Sequence, residues 1–262
     1  MGIIDIKPER KSVKIKGKSR VLSLYKEDDL KKFSPAALGV GNIGARSRQT
    51  DVIAVVFDLT GFTRFCDRAD THLVMPKFLK EFLKWLFGII KSILEVKRFE
   101  EGVRLYSKLP FFAKFTGDGV LFLWDKEDMD MDMICNIVIG GDLISERYKS
   151  DFVPKIGRHL TGVPEILKCG VALGQVCSVG NRKDYVGPCI NLASKLQKQS
   201  NIRFCCSSTG IDLERGMTKS AKRHYTTKIV QIWGIGRPEI VIIRKKDFKE
   251  LLEKEKRAFK EV

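Results

Sequence analysis

The sequence contains few of the side chains that metal and redox sites use most. It has only three histidines, and its seven cysteines include no Cys-x-x-Cys pair. An odd number of cysteines without such a pair fits neither a disulfide framework nor a zinc knuckle. We therefore predict reduced thiols that pack as small apolar side chains.

Long apolar runs are also missing. Lysine or aspartate interrupts the longest apolar stretches before they reach the roughly 18 residues that a membrane helix needs. The first 20 residues include Asp5 and lack the apolar core that a secretory signal requires. These absences predict a cytoplasmic protein with no membrane partner.

Positive charge is abundant but unevenly placed. The chain has 48 basic and 32 acidic residues, which gives a net charge of +16. Residues 1–50 and 218–262 carry +7 each, whereas residues 51–217 carry only +2. A nucleic-acid binder usually concentrates its basic residues on one recognition surface. We therefore predict no nucleic-acid partner, and we expect part of the excess charge to steer an anionic substrate.

The length of 262 residues suits one domain with extensions. We divide the sequence into a basic N-terminal extension (1–50), a body (51–245) and a charged C-terminal helix (246–262). Apolar and β-branched runs alternate with amphipathic stretches along the body, which predicts an interleaved α+β fold. Strands are expected near 51–57, 111–115, 120–124, 168–180, 203–207, 225–233 and 239–244, and helices near 76–96, 134–148, 191–196 and 247–261.

Two aspartates occupy positions that suit a metal site. Asp58 ends the first strand of the body, and Asp118 is the tip of a Gly-Asp-Gly hairpin. Neighbouring strands lie about 5 Å apart, so two strand-end carboxylates can share a pair of hard cations. Two cations bridged in this way are a known device for displacement at phosphorus. Each aspartate taken alone also fits an ordinary turn or cap role.

Three segments carry a resemblance to a known family. VVFDLTGFT, KFTGDGVLFLW and DYVGPCINLASKL follow one another in the order and approximate spacing of class III nucleotidyl cyclase catalytic domains. The resemblance covers about residues 51–245. It implies a ferredoxin-like βαββαβ core with additional strands and helices, in a head-to-tail homodimer with shared active sites. It also implies that two divalent cations, Mn²⁺ or Mg²⁺, assist the conversion of a nucleoside triphosphate to a 3′,5′-cyclic monophosphate and pyrophosphate.

The resemblance also assigns roles to individual residues. Asp58 and Asp118 match the two metal-binding carboxylates, and the carbonyl of Leu59 matches an additional ligand. The other matched positions are the phosphate cradle at Gly61, Phe62 and Thr63, the base contacts at Lys114 and Asp184, and the ribose contact at Asn191.

Three departures from the family pattern affect the expected chemistry. Lys195 stands where an arginine usually stabilises transition-state charge, and it offers a point charge without a bidentate fork. Trp233 stands where a lysine often contacts the triphosphate, so another basic residue must take that role. Arg182, Lys183 and Lys228 are the candidates, and the sequence does not choose among them.

The third departure, Phe57, bears on the base. This position normally holds a small residue, and we expect the phenyl ring to contact the substrate and to reduce the room for the nucleoside. The chain is most similar to the Pycsar pyrimidine cyclases of bacterial anti-phage defence, whose cyclic UMP or cyclic CMP activates a separate effector protein. We therefore expect UTP as substrate and cyclic UMP as product.

Other functions stay open on the sequence. Lys114 can only donate hydrogen bonds and an ionised Asp184 can only accept them, so the pair suits cytosine and adenine as well as uracil. A cytidylate or an adenylate cyclase is thus an alternative. A catalytically silent cyclase-like domain that binds a nucleotide or a partner is the non-enzyme alternative. A third alternative, a nucleic-acid-binding module, is favoured only by the net charge of +16.

Overall fold

The computed structural model describes residues 7, 9–15, 18–32, 34–99, 102–216 and 218–262. The chain divides into two compact units. The smaller unit combines Met1–Gln49 with Cys177–Val186, and the larger one combines Thr50–Val176 with Gly187–Val262.

The smaller unit is built on two strand pairs. The antiparallel strands β1 (Glu9–Ile15) and β2 (Lys18–Leu24) precede a short helix, α1 (Glu27–Lys32), and a 3₁₀ turn at Pro35–Leu38. The second pair joins Cys177–Val179 to Asp184–Val186, and Ser178 hydrogen-bonds Arg48 through both its backbone N–H and its side chain. The sequence predicted only a turn-rich extension for residues 1–50, because this basic segment has no sustained apolar period.

The larger unit is organised around eight strands of a nine-stranded sheet, whose ninth strand, Asp184–Val186, pairs with Cys177–Val179 in the smaller unit. Their bounds are β3 Gln49–Thr60, β6 Phe112–Phe115, β7 Gly119–Asp125, β8 Ile166–Val179, β10 Phe204–Ser207, β11 Tyr225–Val230, β12 Glu239–Arg244 and β13 Phe259–Lys260. They lie in the order β13-β11-β12-β10-β8-β3-β7-β6. A separate antiparallel pair consists of β4 (Glu95–Phe99) and β5 (Gly102–Leu105), and β9 (Asp184–Val186) is the strand of the smaller unit.

Two long helices, α3 (Thr71–Leu94) and α4 (Met131–Arg147), complete the predicted core. A short helix, α2 (Phe62–Cys66), precedes α3. The chain order β3-α3-β6-β7-α4-β8 and the spatial order β8-β3-β7-β6 are those of a ferredoxin-like βαββαβ core. The predicted α+β fold class is therefore confirmed.

The remaining helical segments are short. They are a π-helical turn at Tyr148–Phe152, α5 Val153–Ile156, α6 Pro188–Leu196, α7 Leu213–Gly216, α8 Lys219–Lys222, α9 Lys245–Glu250 and α10 Glu253–Lys256. No helix within the described ranges is long and apolar enough to cross a bilayer.

The hydrophobic core lies between one face of the sheet and the helices α3 and α4. Every fourth residue of α3 is buried there, from Phe78 to Leu94, as expected for an amphipathic helix packed on a sheet. From β3 the core receives Ile53, Val55, Phe57 and Leu59. Because side chains alternate along a strand, Asp58 points to the opposite face.

The C-terminal segment differs from its prediction. The single helix expected over 247–261 is replaced by α9, α10 and the short strand β13. Leu251 and Leu252 are extended and separate the two helices, and Phe259 is buried against the sheet, where β13 pairs with β11. Long-range pairing with the sheet therefore overrides the helix propensity of the lysine- and glutamate-rich sequence.

Candidate active site

The two predicted metal-binding aspartates meet at one end of the sheet. Asp58 of β3 pairs with Gly119 of β7, and the backbone N–H of Leu59 donates to the carbonyl of Asp118 at 2.8 Å. A Cβ atom at position 119 would lie 2.0 Å from the carbonyl oxygen of Phe57. Only glycine therefore allows the tip of the β6–β7 hairpin to approach the end of β3 this closely.

The side chains of Asp58 and Asp118 are in contact. When it is protonated, the carboxyl of Asp58 can donate a hydrogen bond to the carboxylate of Asp118. Burial, and next the negative charge of Asp118, raise the pKa of Asp58 to about 6 from its ordinary value of 3.8. The charges of Lys198 and Lys168 oppose this shift but do not cancel it. Two carboxylates that repel each other in a half-buried place are stabilised when a cation binds between them.

The donor set suits hard divalent cations. Carboxylate and backbone carbonyl oxygens are the ligands that Mg²⁺ and Mn²⁺ prefer. Within the described part of the chain, no group of three or more histidine, cysteine or acidic side chains could hold a metal ion. Asp58 and Asp118, with the carbonyl of Leu59, fit such cations if oxygens of a bound phosphate complete the coordination, as is usual for Mg²⁺.

Two lysines near Asp58 were not predicted from the sequence. Lys168 lies on β8, the strand next to β3, and its ammonium donates to the carbonyl of Ser200 at 2.6 Å. Burial lowers the pKa of Lys168, while the carboxylate of Asp58 opposes that change. Lys198 follows α6 and acts on Asp58 electrostatically. The sequence signal for Lys168 was a single lysine between the buried residues Leu167 and Cys169, which places it on the face of the sheet that carries Asp58.

The segment that follows Asp58 turns sharply into a short helix. Gly61 has a φ of 86°, in the left-handed region that favours glycine, and α2 begins at the next residue. The side chain of Phe62 is buried in the core, so only its backbone can face a ligand, whereas Thr63 is exposed. The N–H groups of the first helical turn have no partner within the helix, which suits the predicted phosphate cradle.

Phe57 is not placed to contact a substrate. Its side chain is 1% exposed and belongs to the core between the sheet and the helices. Its ring makes an edge contact with Phe122, with the centroids 6.2 Å apart. The sequence prediction took Phe57 as a neighbour of Asp58, but adjacent residues of a strand face opposite sides of the sheet. The expected exclusion of purines by this ring therefore loses its structural basis.

Lys195 is held by the segment that contains Trp233. The Lys195 ammonium donates to the carbonyl of Trp233 at 2.6 Å and lies 5.3 Å from the centroid of the indole ring, within cation–π range. The Trp233 side chain is 90% exposed. Trp233, which stands where the family has a triphosphate lysine, thus contacts Lys195, which stands where the family has an arginine.

The helix α6 lies on the face of the sheet that carries Asp58. The carbonyl of Ala193 in this helix lies against Gly170 of β8, on that face. Asn191 is exposed on the same helix. Within the described part of one chain, no hydrogen bond or ion pair joins Asn191 or Lys195 to the two aspartates.

The predicted base contacts lie in different units. Lys114 is exposed on β6, where it pairs with Leu121 in the larger unit. Asp184 begins β9 in the smaller unit, and its carboxylate accepts a hydrogen bond from the N–H of Tyr185 at 2.9 Å.

The structure narrows the candidates for a triphosphate contact. Lys228 is buried, forms an ion pair with Glu261 and lies 4.6 Å from the ring centroid of Phe248, so it is engaged in the fold. Arg182 and Lys183 are exposed, in the smaller unit. Lys228 is therefore removed from the three candidates that the sequence left open.

Comparison with known proteins supports the fold. No protein-family model and no curated protein matches the sequence. The chain resembles the solved structure of the adenylyl cyclase CyaB from P. aeruginosa, with 16% identity and a TM-score of 0.55 over 76% of this chain and 95% of that chain. It also resembles the guanylyl cyclase Cya2, with 18% identity and a TM-score of 0.54 over 76% of this chain and 92% of that chain. At these identities the likeness establishes a class III cyclase fold.

Proposed function

We propose that this protein is a nucleotidyl cyclase that converts a nucleoside triphosphate to its 3′,5′-cyclic monophosphate and pyrophosphate. The observation that carries the proposal is the pairing of Asp58 and Asp118 near the end of β3, where burial and, next, the charge of Asp118 raise the pKa of Asp58 to about 6. Such a pair is poised to bind cations. It lies in a fold that is shared with an adenylyl and a guanylyl cyclase.

The residues of the site divide the work of the reaction. Two bound divalent cations would lower the pKa of the ribose 3′-hydroxyl and neutralise the triphosphate. Asp58 and Asp118, with the Leu59 carbonyl, would hold them. The backbone N–H groups after Gly61 would bind phosphate oxygens, and Lys195 would place a positive charge near the transition state. Phosphoryl transfer relies on positioning and electrostatics, so no protein nucleophile is needed.

The active form in this proposal is a head-to-tail homodimer. The metal-binding half of each site would come from one subunit, and the base and ribose contacts Lys114, Asp184 and Asn191, with Lys195, would come from the other. The support is the resemblance of the segments around Asp58, Asp118 and Asn191 to cyclase domains that pair in this way.

The proposed substrate is UTP and the proposed product is cyclic UMP, a signal for a separate effector protein in anti-phage defence. The support is the resemblance of the sequence to the pyrimidine cyclases, together with the Lys114 and Asp184 pair, which can read a pyrimidine. Phe57 contributes nothing to this preference, because its ring lies in the core. CTP and ATP are the competing substrates.

One experiment tests the proposal and its base. The purified protein is incubated with each of the four ribonucleoside triphosphates and Mn²⁺, and the products are identified by mass spectrometry. We expect cyclic UMP in the largest amount, and no cyclic nucleotide from Asp58→Asn or Asp118→Asn, which preserve side-chain size but remove the metal-binding charge. A different preferred nucleotide overturns the base assignment alone. Nucleotide binding without any cyclic product favours the silent, non-enzymatic alternative.

A further inference from the structure

A groove in the larger unit lies apart from the residues of the candidate active site. It runs between α3 and the segment 151–160 and has a volume of about 880 Å³. Pockets for small molecules typically measure about 300–1,000 Å³. None of its lining residues belongs to the site built around Asp58 and Asp118.

The floor of the groove is aromatic and apolar. Trp85 and Phe152 lie side by side there, with ring centroids 5.4 Å apart, and Ile89, Ile156 and Leu160 extend the apolar surface. Trp85 is only partly buried, and its indole N–H has no acceptor in the part of the chain that the structure describes. The floor therefore offers an aromatic surface and an unused hydrogen-bond donor to a planar ligand.

The rim of the groove is positively charged. It carries four lysines, three of them on one side of α3, against two acidic residues: Lys77, Lys80, Lys84 and Lys155, with Glu81 and Asp151. None of these lysines forms an ion pair within the described ranges, although Glu81 lies on the same helix. The lysine ammonium groups are therefore available to an anion from solution.

We propose that this groove is a second binding site, for a nucleotide. The ligand class follows from the two surfaces together: an aromatic floor suits a base, and a rim with an excess of lysines suits phosphate. The volume suits one small molecule that carries both groups. An acidic protein segment could form ion pairs with the lysines of the rim, but carboxylate side chains would not stack on the Trp85 indole as a base would.

Packed aromatic rings connect the floor of the groove to the helix that begins at the proposed phosphate cradle. The ring of Phe152 lies 5.9 Å from that of Phe78, which in turn lies 5.1 Å from that of Phe65 in α2. The helix α2 directly follows Gly61. A ligand that repacks Trp85 and Phe152 would thus act on the helix that begins at the cradle. Occupancy is expected to change the turnover of the enzyme, and this expectation rests on the proposed function.

Binding is measured by isothermal titration calorimetry in EDTA, which prevents turnover. The probes are UMP, cyclic UMP, UTP and, for comparison, a hexaglutamate peptide. We expect a nucleotide to bind with a Kd below about 1 mM. The double variant Lys80→Glu/Lys84→Glu should weaken binding by about tenfold or more, and Glu81→Gln should tighten it. Lys91→Glu is the matched control, because Lys91 is exposed on the same helix outside the groove.

Three results overturn the binding site. They are the absence of saturable nucleotide binding, an equal loss of binding in Lys91→Glu, and tighter binding of the peptide than of every nucleotide. A second assay measures kcat at saturating nucleoside triphosphate with and without UMP, since competition at the active site leaves kcat unchanged. We expect UMP to change kcat in the wild type but not in the double variant, and an unchanged kcat overturns the coupling. Binding without turnover of any triphosphate overturns the proposed function and leaves the groove assignment standing.

Discussion

The Asp58 carboxylate destabilises the metal-free protein at neutral pH. Its pKa is raised on folding from 3.8 to about 6, so the folded state binds the proton more tightly than the unfolded state. Stability is therefore lost as the pH rises through this window and stays lower above it. The charged Asp58 carboxylate thus lowers the free energy of unfolding of the metal-free protein, and a bound cation is expected to raise it again.

Removing this charge should stabilise the metal-free protein. We expect Asp58→Asn to raise Tm at pH 7.5 in EDTA by about 2–8 °C. The penalty is roughly 1–2 kcal/mol once solvent screening of the partly exposed group is allowed for, and each kcal/mol shifts Tm by about 2–4 °C. The gain should shrink towards pH 4. Mn²⁺ should raise Tm of the wild type but not of the variant.

The matched control is Asp67→Asn, which changes an exposed aspartate of the same unit. It should leave Tm and the Mn²⁺ response unchanged. Equal melting temperatures of Asp58→Asn and the wild type at pH 7.5 would show that neither burial nor the neighbouring Asp118 carboxylate destabilises the charge of Asp58 in the folded protein.

Phe57 is expected to matter for stability and not for the base. Its buried ring contacts Phe122, and truncating a buried phenylalanine costs about 3–5 kcal/mol. We expect Phe57→Ala to lower the free energy of unfolding by this amount in urea titrations. Below its Tm the variant should keep the wild-type ratio of kcat/KM for UTP and ATP. If kcat/KM for ATP relative to UTP rose several-fold in Phe57→Ala, the result would show that Phe57 does limit access of purines to the substrate site.

At the scale of elements, the metal site depends on how closely the β6–β7 hairpin approaches β3. The Cβ atom introduced by Gly119→Ala would meet the Phe57 carbonyl at 2.0 Å, so the two strands must move apart. We expect a lower Tm and a loss of Mn²⁺-induced stabilisation. Gly88→Ala is the control, since nothing lies within 4 Å of a Cβ atom there and alanine favours a helix. Normal Mn²⁺ binding by Gly119→Ala would show that the metal site does not depend on the close approach of the β6–β7 hairpin to β3.

The elements that could be predicted from the sequence are those with a strong local signal. The β-branched run before Asp58 and the Gly-Asp-Gly turn located β3 and the β6–β7 hairpin, and the apolar period of residues 76–96 located α3. The C-terminal segment was mispredicted, because β13 forms only by pairing with β11. The strands β1 and β2 were missed because apolar alternation in this basic segment is limited to Val13–Ile15 and Leu22–Leu24, stretches too short to indicate a strand.

The candidate site shows the same limit. Asp58 and Asp118 could be predicted because glycine marks a break beside each of them: Asp58 lies three residues before Gly61, and Asp118 lies between two glycines. Strand pairing brings them together. Lys168 was missed because its proximity to Asp58 depends on β8 lying beside β3, which the sequence does not encode locally. Phe57 was misassigned because adjacency along a strand was taken for proximity to the site.

At the scale of the whole molecule, the proposed homodimer makes a prediction about mixtures. Asp58→Ala and Asn191→Ala should each be inactive alone, because each removes one half of both sites in a symmetric dimer. A mixed dimer contains one site in which both halves are intact, so mixing should restore up to about a quarter of wild-type activity if subunits exchange randomly. Exchange is followed by native mass spectrometry. Exchange without recovered activity would argue for a site within one chain.

The direct test of a cyclase is whether the ribose 3′-hydroxyl is the attacking group. Pyrophosphate release is measured from UTP and from 3′-deoxy-UTP, each with Mn²⁺, at concentrations at which both are shown to bind. We predict release from UTP together with an equal amount of cyclic UMP, and none from 3′-deoxy-UTP, because phosphoryl transfer has no other nucleophile held in place. Equal release from both nucleotides would mean that water attacks, and the protein would then be a nucleotide hydrolase built on a cyclase fold.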